Sequence, residues 1–286
     1  MAVDYKALKN GGFMRQRQKD VFSLRLKVVG GRLAGGQLAT IAALAEKYGQ
    51  GYVHLTSRQG LEIPFVKLAD VEKIKAELAA GGVDTGVCGP RVRTVTACQG
   101  RDICPGGCIE TQSLAEAISQ RYFGRELPHK FKFGVTGCQN NCLKAEENDL
   151  GIKGGYRLTW AREACTFCGI CAKACPKEAL AVAGETLTLA EEICHNCGRC
   201  VQACPTEAWR GEPGYLVSFG GTFGNLIALG KQFLPLLGSR ETLFKAADAA
   251  LAFFEAHGRP GERFRLAIER AGWPAFEKNI REALDA

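Results

Sequence analysis

Apolar and polar positions partly alternate in DVFSLRLKVV (20–29), the period-two pattern of a strand with one buried face. Gly30, Gly31, Gly35 and Gly36 break it, and QLATIAALAEKY (37–48) follows with apolar residues at helical spacing. Gly49 stands where a helix stop is expected. YVHLTS (52–57) and LEIPFV (61–66) predict two strands joined by Arg58, Gln59 and Gly60. ADVEKIKAELAA (69–80) predicts a second helix, ended by Gly81 and Gly82. The order strand, helix, strand, strand, helix predicts an α+β layer of ferredoxin-like type.

A turn-rich piece, GGVDTGVCGP (81–90), leads into RVRTVTA (91–97), which alternates as a strand and puts Arg91 and Arg93 on one face. SLAEAISQRYFG (113–124) predicts a helix. LPHKFKFGVTG (127–137) predicts another strand, with Lys130 and Lys132 sharing a face. GYLVSFGGTFG (214–224) predicts a return to this domain after an insertion. ETLFKAADAALAFFEAHG (241–258) is an amphipathic helix stopped by Gly258, whose phenylalanine face reads as core.

A length of 286 residues fits about two domains. No apolar run is long enough to span a bilayer, and the N-terminal MAVDYKALKNGGF lacks the apolar centre of a signal peptide. These two features predict a cytoplasmic protein. The formal charge of +7 treats fourteen cysteines as neutral. Ligated clusters bring negative charge that offsets this excess, and no nucleic-acid motif or block of like charge is present.

The cysteines change the picture most. Disulfide frameworks belong mainly to short secreted chains, whereas here the cysteines fall at metal-ligand spacings. TACQGRDIC holds Cys98 and Cys104, and GVTGCQNNC holds Cys138 and Cys142. Four thiolates arriving as two pairs can close around one [4Fe–4S] cluster. Between residues 155 and 213, CTFCGICAKACP and CHNCGRCVQACP each read C-x2-C-x2-C-x3-C-P. This repeat is the bacterial two-cluster signature, in which the fourth cysteine of each run serves the other cluster. One cluster is assigned to Cys165, Cys168, Cys171 and Cys204, the other to Cys194, Cys197, Cys200 and Cys175. Zinc is the competing reading, disfavoured by the two interlocked sets followed by proline. Cys88 and Cys108 are left over, and Cys108 rivals Cys98 as the partner of Cys104. The histidines, His195 among them, show no mutual pattern.

The spacing of the first four cysteines, with its flanks, resembles the cluster region of the sirohaem sulfite and nitrite reductases. RLKVVGGRLAGGQLATIAALAEKYGQGYVHLTSRQGLEIP resembles the half-domain that precedes it in that family. LKAEENDLGIKGG after Cys142, followed by a ferredoxin-like unit, resembles the small anaerobic type of sulfite reductase subunit. The resemblance implies a ferredoxin-like half-domain over 1–82. It implies a sirohaem and [4Fe–4S] reductase domain over 83–154 and 214–286, and an inserted two-cluster ferredoxin domain over 155–213.

The implied chemistry is a six-electron reduction of sulfite to sulfide, with nitrite reduction as the nearest alternative and a non-catalytic electron carrier as the other. Arg58, Arg93, Lys130 and Lys132 would hold the anion. Cys142 would also bridge to the sirohaem iron, and Arg91 and Asn140 would contact the cofactor. The implied cofactors are sirohaem and three [4Fe–4S] clusters. Only one copy of the half-domain and cluster unit is present, so a homo-oligomer, or an assembly with electron-donor subunits, is expected. No nucleotide fingerprint predicts NAD(P)H oxidation.

Overall fold

The computed structural model describes residues 3–285; Met1, Ala2 and Ala286, at the outer ends of the expected terminal units, lie outside the described residues. The first layer opens with α1 (Tyr5–Asn10) and β1 (Phe13–Arg15). β2 (Val21–Arg25), α2 (Gly35–Tyr48), β3 (His54–Leu55), β4 (Leu61–Lys67) and α3 (Val71–Ala80) follow in the predicted order. Four antiparallel strands pair in the order β1-β2-β4-β3. β1 escaped the sequence reading because three residues are too few to display a period.

Phe22, Leu24 and Ile63 of the sheet bury against Ile41 and Leu44 of α2 and Ile74 and Leu78 of α3. Each such side chain contributes roughly 1.5–3 kcal/mol relative to exposure. Two expected strands are shorter than their patterns. The first ends at Arg25, and Val29–Gly31 form a 3-10 turn with Gly30 at φ 59°. The second stops at Leu55 because Thr56 already turns, its amide and hydroxyl both bonded to Gly60.

The second unit contains β5 (Thr96–Ala97), α4 (Thr111–Tyr122), β6 (Phe133–Thr136) and β7 (Leu150–Trp160). After β7 come α5 (Ile170–Ala174), β8 (Leu180–Ala183), β9 (Thr186–Leu189) and α6 (Arg199–Ala203), and then β10 (Trp209–Phe219). The chain closes with α7 (Arg240–His257), α8 (Phe264–Ala271) and α9 (Trp273–Asp285). The sheet order is β10-β7-β6-β5, parallel except for the β7–β10 pair. Phe131 packs on Phe254 of α7 and Phe264 of α8, the last ring centre 5.1 Å away, and Phe133 stacks on Tyr122 of α4.

The strand expected over 91–97 is a correction. Only Thr96 and Ala97 form a strand, and Arg91 and Val92 make single bridges. Arg93 bends the segment back on itself by donating to the carbonyls of Val87 and Gly89, each at 3.0 Å. Arg91 and Arg93 therefore part company: Arg91 pairs with Glu126 at 2.5 Å, while Arg93 turns inward. The strand expected over 127–137 likewise narrows to β6.

β7 and β10 pair without a break from Leu150–Phe219 to Trp160–Trp209, running through residues 155 and 213. Beyond the ribbon's far end, residues 161–208 form a small lobe whose buried side chains include Cys171, Leu180 and Cys200, with Trp209 beneath. The lobe repeats its own backbone. Phe167 and Asn196, Gly169 and Gly198, and Glu178 and Glu207 all sit at matching left-handed φ, between 53° and 73°. α5 and α6 follow the two glycines at matching positions.

Candidate active site

The two units meet at Gln59. Its side-chain amide bonds the backbone of Ala97 in both directions at 3.0 Å, continuing β5 as another strand would. This fixes the neighbouring Arg58, which reaches into the second unit. Its Nη1 donates to Asn148 Oδ1 at 2.6 Å and its Nη2 to the carbonyl of Thr94 at 3.3 Å. Asn148 gets there by lying over Gly134, where any Cβ would collide with its amide.

Two cavities flank Arg58. The first, about 260 Å³, is lined by Arg25, Arg58, Arg93, Lys130 and Lys132, with Glu62 as its one acidic residue. Arg25 engages Glu62 at 2.6 Å. The second, about 360 Å³, is lined by Gln59, Thr96, Cys142, Lys144 and Phe223 among others. Ser57, Arg58 and Lys132 belong to both, so they form the shared wall. The four predicted basic residues thus converge, and Cys142 opens on the far side of that wall. Arg91 lines neither cavity.

The electrostatics are those of an uncompensated cationic cup. Among the described residues, Arg58, Arg93, Lys130 and Lys132 make no ion pair with a carboxylate. Burial pushes the Arg58 guanidinium down to about 10, helped by Arg93 and Arg263 and opposed by Asp149. Burial also brings Lys132 down to about 8, with Arg58 and Arg263 adding repulsion. Lys130 and Arg93 are lowered for the same first reason. The buried Nε of Arg93 has no partner. An anion entering here relieves that repulsion.

Three residues at this site lie outside the sequence reading. Arg25 binds the buried Cys88 thiol at 3.2 Å from the floor of the first cavity. Arg263, just before α8, adds a sixth cation, whose field reaches Arg58, Arg93, Lys130 and Lys132. Asp149 is fully buried and binds Arg263 at 3.0 Å and the Lys132 amide at 2.9 Å. No local signal marks them, since each is recognisable only by distant partners.

Cys98, Cys104, Cys138 and Cys142 come together at the loops beside the second cavity. The Gly137 amide donates to Cys98 Sγ at 3.0 Å. Cys104 and Cys138 sulfurs both lie within 4.0 Å of where a Gly106 Cβ would be, and Asn140 Nδ2 is 3.9 Å from the same point. The negative charge of Cys104, Cys98 and Cys142 bears on Cys138, whose thiol is raised chiefly by burial. Cys108 faces inward, its sulfur 3.9 Å from the Gly106 carbonyl and burial pushing its thiol up to about 12.

In the lobe, one pocket is lined by Cys165, Cys168, Cys171 and Cys204, and another by Cys175, Cys194, Cys197 and Cys200 with His195. Amides of Phe167 and Ala179 point at Cys165 and Cys175 sulfurs at 3.4 and 3.3 Å. Among the described residues, no three His, Cys, Asp or Glu side chains meet at one ion-sized point. The residues fit cluster binding on two counts. Amide donors already face the sulfurs, and the lobe's thin core is of the kind that small modules staple with metal. The second cavity sets Arg58, Lys132 and Lys144 beside Cys142, cations of the kind that the carboxylates of a cofactor would meet.

Residues 88–286 match the nitrite and sulphite reductase 4Fe-4S domain, and residues 14–81 the nitrite/sulfite reductase ferredoxin-like half domain. The chain is 32% identical over 277 residues to the coenzyme F420-dependent sulfite reductase of Methanocaldococcus jannaschii, covering 96% of this chain and 44% of that protein. It is 30% identical over 307 residues to a subunit of the anaerobic sulfite reductase of Salmonella typhimurium, covering 98% and 90% respectively. A crystal structure of dissimilatory sulfite reductase I has the same fold, with a TM-score of 0.74 at 19% identity over 91% of this chain and 69% of that one. The α+β half-domain, the cluster-domain match and near full-length similarity agree, and the chain belongs to the nitrite and sulphite reductase family.

Proposed function

We propose that this chain reduces sulfite to sulfide, holding a sirohaem beside a [4Fe–4S] cluster and drawing electrons through two further clusters. The observation that carries the reading is the wall of Arg58 and Lys132, with cations on one side and Cys142 opening on the other. Cys98, Cys104, Cys138 and Cys142 would hold the first cluster, with Cys142 also the bridge to the haem iron. Cys165, Cys168, Cys171 and Cys204 would hold one lobe cluster, and Cys194, Cys197, Cys200 and Cys175 the other. When bound, the coupled pair supplies electrons and a metal site for the anion.

The chain's own residues do the rest. Sulfite takes up six electrons and seven protons and yields hydrosulfide and three waters. Arg58 and Arg93 remain cations throughout and orient oxygens through fixed N–H groups. Lys132, at about 8, is the group best matched to giving and regaining a proton near neutrality. Lys130 stands beside it. Asn140 would lie by the cluster loop. Arg91, occupied by Glu126, would reach a cofactor carboxylate only by leaving that partner.

Phe223, which lines the second cavity, is exposed, as are Leu226, Ile227 and Leu229 shortly after it in the chain, which supports a second chain, either a copy or an electron donor, covering that side. Among the described residues no helix is long and apolar enough to cross a membrane; a cytoplasmic location is part of the same proposal. Nitrite is the second reading, since the matched family includes both activities and the cup suits either anion.

The test is iron, acid-labile sulfide and extracted tetrapyrrole per chain on anaerobically purified protein, with turnover of both anions by a reduced viologen. Three clusters, one sirohaem and a larger kcat/KM for sulfite are expected. Absence of tetrapyrrole after reconstitution would leave an electron carrier instead.

A further inference from the structure

We infer that the two cysteine quartets of the lobe have different places in the electron route. The quartet of Cys175, Cys194, Cys197 and Cys200 hands electrons to that of Cys98, Cys104, Cys138 and Cys142 across residues 154–156. The quartet of Cys165, Cys168, Cys171 and Cys204 takes them in from outside. This rests on the cluster reading proposed above.

Asn196, between Cys194 and Cys197, locks onto Tyr156 from both ends. The Tyr156 amide donates to the Asn196 carbonyl at 2.8 Å, and Asn196 Nδ2 donates to the Tyr156 carbonyl at 3.1 Å. Gly198 leaves the space that the Tyr156 ring occupies. Two residues back, Gly154 packs directly on the Gly137 carbonyl, an approach that a Cβ would forbid. The Gly154 carbonyl accepts from Gln139 Nε2 at 3.3 Å, next to Cys138. Cys108 lies buried in the same joint, its amide bonded to the Gly137 carbonyl at 2.7 Å. The backbone of 154–156, hydrogen-bonded to Asn196 at one end and to Gln139 at the other, therefore joins the loop of one quartet to the loop of the other.

The repeat gives an internal control. The position matching Asn196 is Phe167, and Phe167 instead packs on Trp160 and Arg162, with ring centres 6.2 Å apart for the tryptophan. Trp160 is four residues beyond Tyr156 on β7, or about 13 Å further along an extended strand. Cys168 and Ile170 are exposed at that far end. Electron transfer weakens steeply with distance, so geometry alone makes the two quartets unequal. Each step moves one electron. A viologen radical is oxidised to its dication as the far cluster is reduced. The far cluster is reoxidised as the near one is reduced, and the near one as the coupled cluster is reduced.

The test uses anaerobic holoprotein and EPR. Iron for three clusters is measured first; less than that in the wild type overturns the underlying cluster reading, apart from the route. In partly reduced protein, magnetic broadening of the coupled cluster's signal is expected to persist in Cys168→Ala and vanish in Cys197→Ala; the reverse overturns the route. Because losing a cluster can unfold the lobe, a second variant keeps every ligand. Gln139→Ala with Asn196→Ala, which removes both side-chain hydrogen bonds of the bridge, is expected to retain full iron and to slow electron arrival at the coupled cluster at least tenfold, read by freeze-quench after viologen mixing. Unchanged arrival at full iron content overturns the bridge.

Discussion

Arg263 Nη2 donates to Asp149 Oδ1 at 3.0 Å, joining residues 114 positions apart beneath the cationic cup. The carboxylate is fully buried, and its other oxygen accepts from the Lys132 amide. Burial raises the Asp149 carboxyl, and Arg263 opposes that rise more than any other group. The pair thus holds the start of α8 against the edge of β6 and keeps Lys132 in register.

Removing one partner should leave a bare buried charge. Arg263→Leu is expected to cost about 3–5 kcal/mol, seen as a lower thermal midpoint under anaerobic conditions. The double variant Arg263→Leu with Asp149→Asn should recover much of that loss, since it removes the bare charge while the amide oxygen can still accept from the Lys132 amide. A double variant no more stable than the single would mean that the pair is not the source of the effect.

Lys132 should set a pH limit on anion binding. Its ammonium form is essentially complete a unit below its value of about 8 and is lost as pH rises through that value. Affinity for nitrite, which stays an anion throughout, should therefore be flat below about pH 7 and fall above about pH 8. A charged donor contributes roughly 1.5–3 kcal/mol, so the total fall should be about tenfold or more. Lys132→Gln should bind weakly at every pH and lose the alkaline limb. For stability the sign is opposite. A depressed lysine makes the unfolded chain bind more protons between the two values, so stability rises with pH there.

Cys104 and Cys108 should separate by iron content. Cys104 is exposed and shares its space with Cys138, whereas Cys108 is buried with its sulfur toward the Gly106 carbonyl. Cys104→Ser is expected to lose about one cluster's iron, and Cys108→Ser none; equal losses would make Cys108 a ligand.

By itself the chain's pattern determined the helices α2, α3, α4 and α7, the ferredoxin-like order of the first layer, and the cysteine spacings on which the proposed quartets rest. Those features rest on local periods and short spacings, which a linear sequence displays directly. It also marked Arg58, Arg93, Lys130 and Lys132, through resemblance rather than period. Tertiary structure alone decided that Arg93 turns inward while Arg91 meets Glu126, because a short polar segment bends to satisfy two carbonyls. It alone brought Arg25, Asp149 and Arg263 to the cup, and Asn148 to Arg58 across 90 positions. Such pairings depend on which strands and helices stack, and no periodicity within one segment encodes its distant neighbour.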